Sequence, residues 1–398
     1  MKYDFTSVLD RKGHDSLAFD KIPFEGVTVD EGFDPIPMWI ADMSFPVSPA
    51  VTKAILNRME MPNYGYFALP QEYFDTIISW QNRRNGVVGL EKENIGYENG
   101  VLGGVSSAVQ AFSSPGEKIL IHSPTYIGFT HVMEDTGRPV IHSELKRDEN
   151  GIWRMDYEDM DAKLKKYNIH LAIFCSPHNP CGRVWEKWEI EKAMEVYAAN
   201  DCIVISDEIW SDIIMPDHKH IPTQSVSEDA RNRVIAFYST SKSASIAGLV
   251  GSYHIIYNRQ LRDRVVHRSE ISHYNDANVL SVHSLIGGFS KEGEEWIDEM
   301  IQVIDNNLTY ATDFIKANFD GVKCAKPEGT YMLYLDCADW CREHGVSITE
   351  LQHRGVKCGV IWQNGEDFYW KDTIRMNLAL PYARLHDAME RLKKFAFI

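Results

Sequence analysis

The chain has 398 residues, and its 41 Lys and Arg against 57 Asp and Glu give a formal net charge of −16 at pH 7. Hydrophobic residues make up 44% and charged residues 25%, which is ordinary globular usage and excludes a wholly disordered chain. The acidic balance argues against nucleic acid and against an anionic membrane surface as partners, because both require a basic face on the protein.

Neither a membrane span nor a metal site is predicted. The longest apolar runs, such as Leu171–Cys175, are far shorter than the roughly 20 residues of a spanning helix, and the first residues lack a signal pattern. The seven cysteines are scattered, and the spacing of Cys337 and Cys341 does not suit zinc. The Asp-His-Lys-His run at 217–220 is interpreted as a solvated loop. We therefore expect a soluble, cytoplasmic enzyme with reduced thiols.

In chain order, the first fifty residues read as an extended segment, because five prolines leave little room for a long helix. From there to about residue 285, short continuous apolar runs alternate with helical patterns. Such runs are typical of strands buried on both faces, so the pattern predicts an α/β fold with a mostly parallel sheet flanked by helices. The predicted strands are 118–122, 171–176, 202–206, 234–239 and 253–257, and the clearest helices are 103–112, 157–167 and 188–200.

The last hundred residues change character and predict a smaller α+β domain. The predicted elements there are a helix over 294–319, strands over 330–336 and 373–378, a helix over 348–354, and a closing helix from His386. We expect three segments: an N-terminal extended segment (1–50) that joins the small domain, a large ligand-binding domain (51–288) and a small C-terminal domain (289–398).

Ligand sites in open α/β sheets lie at the carboxyl ends of the strands, where two ionisable side chains stand out. Lys242 lies between two serines just after the strand predicted at 234–239. A lysine held in a pocket can lose its proton and form a Schiff base with an aldehyde, although a surface loop lysine is an equal alternative. Asp207 ends the strand predicted at 202–206 and would need a cationic partner, such as a protonated pyridine. The alternatives for Asp207 are a helix cap and an arginine pair.

Three further signals at the same predicted edge are weak one by one. Asn179 follows the strand at 171–176 and could donate to a ligand oxygen or simply form a turn. Tyr126 follows the strand at 118–122 and could stack on a heterocycle or pack in the core. A Gly-rich helix start at 100–104 offers backbone N–H groups to a phosphate. Together the five signals match the aldehyde, ring nitrogen, ring oxygen, ring face and phosphate of pyridoxal 5'-phosphate.

At this point the chain resembles a known family, the fold-type-I pyridoxal-phosphate enzymes of the aminotransferase class I/II superfamily. Within it the chain is most similar to the MalY/PatB group of cystathionine β-lyase-like proteins. The motifs that carry the resemblance are Met-Trp-Ile-Ala-Asp-Met at 38–43, Tyr-Gly-Tyr at 64–66, 176–185, 206–212, 241–249, Gly-Thr-Tyr at 329–331 and Ile-Arg-Met-Asn at 374–377.

The resemblance implies a role for each residue around the cofactor. Lys242 would hold pyridoxal phosphate through the Schiff base and act in catalysis, and Asp207 would pair with the pyridinium nitrogen so that the ring remains an electron sink. Asn179 would bind the ring phenolate oxygen. Tyr126 would stack on the ring and is counted with the catalytic residues, and Trp210 would also contact the cofactor.

The resemblance also implies a phosphate site, a substrate site and a homodimer with shared active sites. Arg375 would bind the substrate α-carboxylate in a bidentate pair, assisted by Asn179 and Trp39. The phosphate site would combine the backbone amides of Gly100, Val101 and Leu102 with Ser239, Ser241 and Tyr66, the last from the partner subunit.

Four positions depart from the family pattern. Trp210 stands where the group typically has His and many aminotransferases have Tyr, and an indole can donate but not accept, so its tuning of the phenolate is weaker or absent. Ala244 and Ser245 replace an aromatic residue and Asn. Val250 replaces the phosphate-binding Arg of the aminotransferases, which fits the lyase group and counts against an aspartate-type aminotransferase.

The expected activity is β-elimination from an L-amino acid with a sulfur leaving group, such as L-cystathionine, which yields a thiol, pyruvate and ammonia. The alternative is an aminotransferase, which shares the early steps and returns a keto acid. A regulatory module that senses pyridoxal phosphate is a distant third, because Lys242, Asp207, Asn179 and Arg375 are all in place and the chain begins within the enzyme-like portion.

Overall fold

The computed structural model describes residues 1–149 and 151–398. The helices are α1 (Leu17–Asp20), α2 (Pro49–Met59), α3 (Gln71–Asn85), α4 (Val101–Phe112), α5 (Ile127–Asp135), α6 (Tyr157–Tyr167), α7 (Lys187–Ala199), α8 (Glu228–Arg233), α9 (Arg259–Ser272), α10 (Val279–Gly288), α11 (Lys291–Asn318), α12 (Ala338–His344), α13 (Ile348–Lys357) and α14 (Tyr382–Arg391). Among the described residues, none of these helices is both long enough and apolar enough to cross a membrane.

The strands are short, and most are buried along their whole length. They are β1 (Ile36–Pro37), β2 (Ile95–Glu98), β3 (Ile119–Ser123), β4 (Val140–Glu144), β5 (Lys146–Arg147), β6 (Trp153–Arg154), β7 (Leu171–Cys175), β8 (Ile203–Asp207), β9 (Val234–Tyr238), β10 (Ser252–Ile255), β11 (Met332–Asp336), β12 (Val360–Ile361), β13 (Gln363–Asn364) and β14 (Thr373–Asn377).

The chain divides into two compact units. The larger unit comprises Val47–Asn179 and Arg183–Asp298, and the smaller unit comprises Met1–Pro46, Pro180–Gly182 and Glu299–Ile398. The domain boundaries expected from the sequence at residues 50 and 288 stay predictions.

The larger unit contains a seven-stranded sheet in the order β2-β10-β9-β8-β7-β3-β4. All neighbouring strands in it are parallel except β10, which is antiparallel to both β2 and β9. The mostly parallel sheet flanked by helices is therefore confirmed. The five strands expected from the sequence all form, with ends that differ by no more than two residues from those predicted.

One apolar core lies between this sheet and the helices α4, α5 and α9. Every residue of β3, β7 and β9 is buried, as the continuous apolar runs indicated. Val105 and Val109 of α4, Phe129 of α5 and Val265 of α9 pack against these strands. Burying such aliphatic and aromatic side chains is worth about 1.5–3 kcal/mol each, which fixes the sheet that presents the loops described below.

The edge strand β2 was not predicted, because its Ile-Gly-Tyr-Glu sequence contains a glycine and a charged residue. The structure gives both a reason. A Cβ on Gly96 would overlap the ring of His254 on β10. Nδ1 of that ring forms a 2.7 Å hydrogen bond with Oε1 of the fully buried Glu98. The glycine makes room for a cross-strand pair that no local pattern reveals.

The smaller unit has an antiparallel sheet in the order β11-β14-β13 and a parallel pair of β1 with β12. Helices α12, α13 and α14 accompany these strands, so the predicted smaller α+β part is confirmed. The start of the closing helix was wrong: α14 begins at Tyr382, directly after its N-cap Pro381, and not at His386. Proline fixes a backbone angle that suits the entry to a helix, and this was the overlooked signal.

Candidate active site

Three adjacent parallel strands deliver predicted site residues to one edge of the large sheet. In the register of β7, β8 and β9, Cys175 lies beside Asp207, and Asp207 lies beside Phe237. Asp207 is the last residue of β8. Asn179 follows the end of β7, and Lys242 follows the end of β9. The structure therefore brings these three predicted residues to neighbouring strand ends, the usual location of ligand sites in such sheets.

The predicted phosphate and ring-stacking residues reach the same edge. Since β10 is antiparallel to both β2 and β9, those two strands run in the same direction, and Tyr253 of β10 is paired with both Tyr97 and Tyr238. The start of α4 after β2 and Ser239 after β9 therefore lie at the same end of the sheet. Tyr126 follows β3, which is the neighbour of β7.

Asp207 is buried and its charge is poorly compensated within the protein. Its Oδ1 accepts a 3.0 Å hydrogen bond from the backbone N–H of Ile209. Burial raises the pKa of Asp207 from 3.8 to about 7, whereas the Ile209 N–H and the charge of Lys242 act in the opposite direction. A carboxyl group in this state is suited to a cationic partner such as a protonated ring nitrogen.

Lys242 lies near the face of an indole ring. Its Nζ is 5.8 Å from the centroid of the Trp210 ring, and Trp210 is almost fully buried. The next residue anchors the loop, because Ser243 Oγ donates a 2.9 Å hydrogen bond to Asp212, which also accepts one of 2.8 Å from Trp80 Nε1. Sequence reasoning missed this role of Asp212.

The predicted phosphate residues form a cluster of hydroxyl and backbone donors. Gly100 has φ +85°, a conformation that favours glycine, and α4 begins at the next residue. Ser239 Oγ and Ser241 Oγ are 2.6 Å apart, and Ser239 Oγ also accepts from the Ser241 N–H at 3.0 Å. Hydroxyl groups next to the N-terminus of a twelve-residue helix suit a phosphate.

Val250 borders this cluster with an apolar side chain. Its Cγ1 would be 3.7 Å from a Cβ built on Gly100. The residue has φ +51° and is about half exposed. A β-branched residue is unusual in the left-handed region, so the backbone conformation of Val250 costs conformational energy.

A segment of the chain far away in sequence fixes the strand end before Gly100. Asn99 donates from its backbone N–H to Asn275 Oδ1 at 2.8 Å and from Nδ2 to the Tyr274 carbonyl at 2.8 Å. Asn275 Nδ2 donates to the Tyr97 carbonyl at 2.6 Å, and Tyr274 Oη donates to Glu98 at 2.6 Å. Because about 176 residues separate the partners, no sequence pattern could have identified this clamp.

A buried hydrogen-bond network lies immediately after Asp207. The fully buried carboxylate of Glu208 accepts from Ser206 Oγ at 3.0 Å, the Thr223 N–H at 3.0 Å and Tyr238 Oη at 2.7 Å, and it contacts His220 Nε2 at 2.8 Å. Four partners for one carboxylate compensate its desolvation and fix the backbone that carries Asp207.

The interpretation of 217–220 as a solvated loop was wrong for its last residue. Asp217 and His218 are exposed, but His220 is buried and pairs with Glu208. The apolar Ile221 and Pro222 that follow His220 were the available signal that the chain returns to the core there.

Arg375 lies at the centre of β14 in the smaller unit and is buried. Its Nη2 donates to the Trp39 carbonyl at 2.9 Å and to Gln363 Oε1 at 2.7 Å. The guanidinium carbon is 4.3 Å from the centroid of the buried Phe368 ring. Trp39 thus contacts Arg375 through its backbone, and its indole Nε1 points to the Ala18 carbonyl at 3.5 Å.

The remaining predicted residues are Tyr126, Asn179 and Tyr66. Tyr126 is half-buried at the N-cap of α5, with its ring edge-on to Phe129 at 5.4 Å between centroids. Asn179 is buried. Tyr66 is fully exposed in the segment between α2 and α3, so within one chain it is not packed into the protein.

Comparison with known proteins agrees with this arrangement. Residues 35–392 match the family "Aminotransferase class I and II". The chain is 33% identical over 388 residues to cystathionine beta-lyase PatB of Bacillus subtilis. The aligned region covers 96% of this chain and 97% of that protein. It is 29% identical to protein MalY of Escherichia coli, with 84% of each chain covered.

Solved structures give the same answer for the fold. Cystalysin from Treponema denticola, which contains a pyridoxal 5'-phosphate cofactor, superimposes with a TM-score of 0.91 at 29% identity, covering 99% of this chain and 98% of that one. The pyridoxal-phosphate-bound C–S lyase from Staphylococcus hominis gives 0.90 at 28% identity, covering 100% and 99%. The predicted fold of type I is confirmed, and the chain belongs to the aminotransferase class I and II family.

Proposed function

We propose that this protein is a pyridoxal-phosphate-dependent carbon–sulfur β-lyase that cleaves L-cystathionine-like amino acids to a thiol, pyruvate and ammonia. The observation that carries the proposal is the arrival of Lys242, Asp207 and Asn179 at three adjacent strand ends. They do so in a chain that is similar over nearly its full length to a cystathionine β-lyase.

The residues at the sheet edge fit the cofactor. The buried Asp207, whose pKa is raised to about 7, would pair with the ring nitrogen, and Asn179 would bind the ring oxygen. Tyr126 and Trp210 offer aromatic faces. The phosphate would bind Ser239, Ser241 and the backbone N–H groups at 100–102, at the start of α4.

When bound, pyridoxal phosphate supplies an electron sink that stabilises negative charge at the substrate α-carbon. Lys242 would hold the cofactor, and its free amine would take the α-proton of the substrate. Arg375 binds the α-carboxylate. The Cβ–S bond breaks with its electron pair on sulfur, which leaves as the thiol after protonation, and water converts the remaining three-carbon unit to pyruvate and ammonia.

We propose further that the protein acts as a homodimer in the cytoplasm. Six exposed apolar side chains in the last turn of α2 and in the segment that follows it support an interface with a second copy: Leu56, Met59, Met61, Tyr64, Tyr66 and Phe67. Tyr66 of one subunit would reach the phosphate of the other. The seven free thiols agree with a reducing compartment.

The decisive experiment measures pyruvate from L-cystathionine with the purified, cofactor-loaded protein and no keto acid added. We expect many equivalents of pyruvate per active site, and none from Lys242→Ala. A single turnover that stops and resumes only when a keto acid is supplied would overturn the lyase and establish an aminotransferase. The family match is shared by both activities and does not decide between them.

A further inference from the structure

Gln363 is the side chain nearest to Arg375 on the facing strand. In the antiparallel pair of β13 and β14, Gln363 and Arg375 are directly opposite each other, so both side chains lie on the same face of the sheet. Gln363 Oε1 accepts a 2.7 Å hydrogen bond from Arg375 Nη2, and both residues are buried. The same Nη2 donates to the Trp39 carbonyl at 2.9 Å.

The turn after β13 fixes the orientation of the Gln363 amide. Gln363 Nε2 donates to Asp367 Oδ2 at 3.3 Å, which directs the amide oxygen towards Arg375. Asn364 caps this turn, since its Oδ1 accepts from the Glu366 N–H at 2.9 Å. One short turn therefore supplies both the residue that orients the amide and Phe368, whose ring lies 4.3 Å from the guanidinium carbon.

The chemistry of the acceptor matters as much as its position. A carboxylate opposite Arg375 would hold the guanidinium equally well but would cancel its charge. An amide oxygen and a backbone carbonyl are neutral. They restrict the guanidinium without placing a negative charge beside it.

We propose that Gln363 is a positioning residue that holds Arg375 for the substrate α-carboxylate and, by being neutral, sets the affinity of the site for that group. This inference rests on the proposed function, in which Arg375 binds the carboxylate. It adds a residue with no contact to the reacting atoms, whose effect is exerted through Arg375 on substrate binding.

The test compares two ligands that differ only in the carboxylate. 2-Aminoisobutyrate has an amine and a carboxylate but no α-proton, and tert-butylamine has a methyl group in place of the carboxylate and likewise no α-proton. Their dissociation constants are measured from the change in cofactor absorbance. For Gln363→Met, which has a similar shape and no amide oxygen, we expect binding of 2-aminoisobutyrate to weaken about tenfold. For Gln363→Glu we expect about a hundredfold, because a negative charge is also introduced. Binding of tert-butylamine should not change.

Steady-state kinetics give a second measurement. With L-cystathionine, KM should rise in parallel in both variants while kcat stays within about threefold, since the reacting groups are untouched. Gln302→Glu, the same charge change at an exposed position of α11, is the matched control and should leave KM unaltered. Asp367→Ala releases the amide from an exposed site and should weaken 2-aminoisobutyrate binding by about threefold even if the buried variants fold poorly.

Arg375→Lys distinguishes the positioning role of Gln363 from the carboxylate-binding role of Arg375. If it weakens 2-aminoisobutyrate binding and the Gln363 and Asp367 variants do not, the positioning role is overturned and the proposed carboxylate site stands. If Arg375→Lys has no effect either, the carboxylate role of Arg375 is overturned, and the role of Gln363 with it.

Discussion

The Nζ of Lys242 lies 5.8 Å from the centre of the Trp210 ring, so the amine of the predicted catalytic lysine faces an indole. A cation over an indole face is stabilised by about 0.5–2 kcal/mol. The ring restricts the lysine without offering a second proton acceptor next to it.

For Trp210→Leu we expect two losses. Turnover should fall about threefold, because the lysine is no longer held against the ring. The free energy of unfolding should fall by about 3 kcal/mol, because a nearly fully buried side chain is replaced by a smaller one. Pyruvate assays and urea unfolding measure the two effects. Trp188→Leu, at an indole that is about half exposed, serves as the control, and a Trp210→Leu protein as stable as this control would contradict the prediction.

The buried Asp207 predicts how the cofactor-free protein responds to pH. Because burial raises the pKa of Asp207 from 3.8 to about 7, the folded state holds this proton over a range in which the unfolded state has released it. Its contribution to the free energy of unfolding therefore decreases by about 4 kcal/mol as the pH rises from about 4 to about 7.

The Asp207→Asn variant isolates this effect. In urea unfolding without cofactor, we expect the variant to match the parent near pH 4.5 and to exceed it in stability at pH 8. In the cofactor-loaded protein we expect the variant to be less active than the parent, because the amide of Asn cannot pair with a protonated ring nitrogen. Pyruvate formation should fall at least a hundredfold. Equal pH dependence of the two cofactor-free proteins would refute the assignment.

Gly96 tests the support behind the phosphate residues. In Gly96→Ala the new methyl group overlaps the His254 ring and must break its 2.7 Å hydrogen bond to Glu98. We expect a loss of about 3 kcal/mol in unfolding free energy, together with weaker binding of inorganic phosphate by the cofactor-free protein. Gly248→Ala is the matched control, because nothing lies within 4 Å of its added Cβ. The prediction fails if the two variants are equally stable.

The sequence predicted the large sheet and its carboxyl edge because β3, β7, β8 and β9 are encoded by largely apolar runs, each of which ends in a polar residue or is followed directly by one. Such a run identifies a buried strand without knowledge of its neighbours. The positions of Asp207 at the end of β8 and of Lys242 after β9 could therefore be predicted from the sequence.

What escaped prediction depends on partners distant in the chain. The clamp of Asn275 on Asn99 joins residues 176 positions apart, and the carboxylate of Glu208 accepts from Tyr238, 30 positions further along the chain. The antiparallel direction of β10 could not be inferred either, because a continuous apolar run does not indicate in which direction its strand runs relative to its neighbours. Such features require knowledge of which strands become neighbours.

The position of β10 has a consequence for biosynthesis. The edge strand β2 pairs with β10 alone, and β10 ends at Ile255, about 160 residues after β2 emerges from the ribosome. Until that stretch has been translated, the strand that leads into Gly100 has no hydrogen-bonded neighbour in the sheet. Pairing over such a separation is slow to form. A nascent chain that stops short of β10 would thus contain Lys242 before the strand that carries the start of α4 is paired, so we expect cofactor uptake to come late in the maturation of this protein.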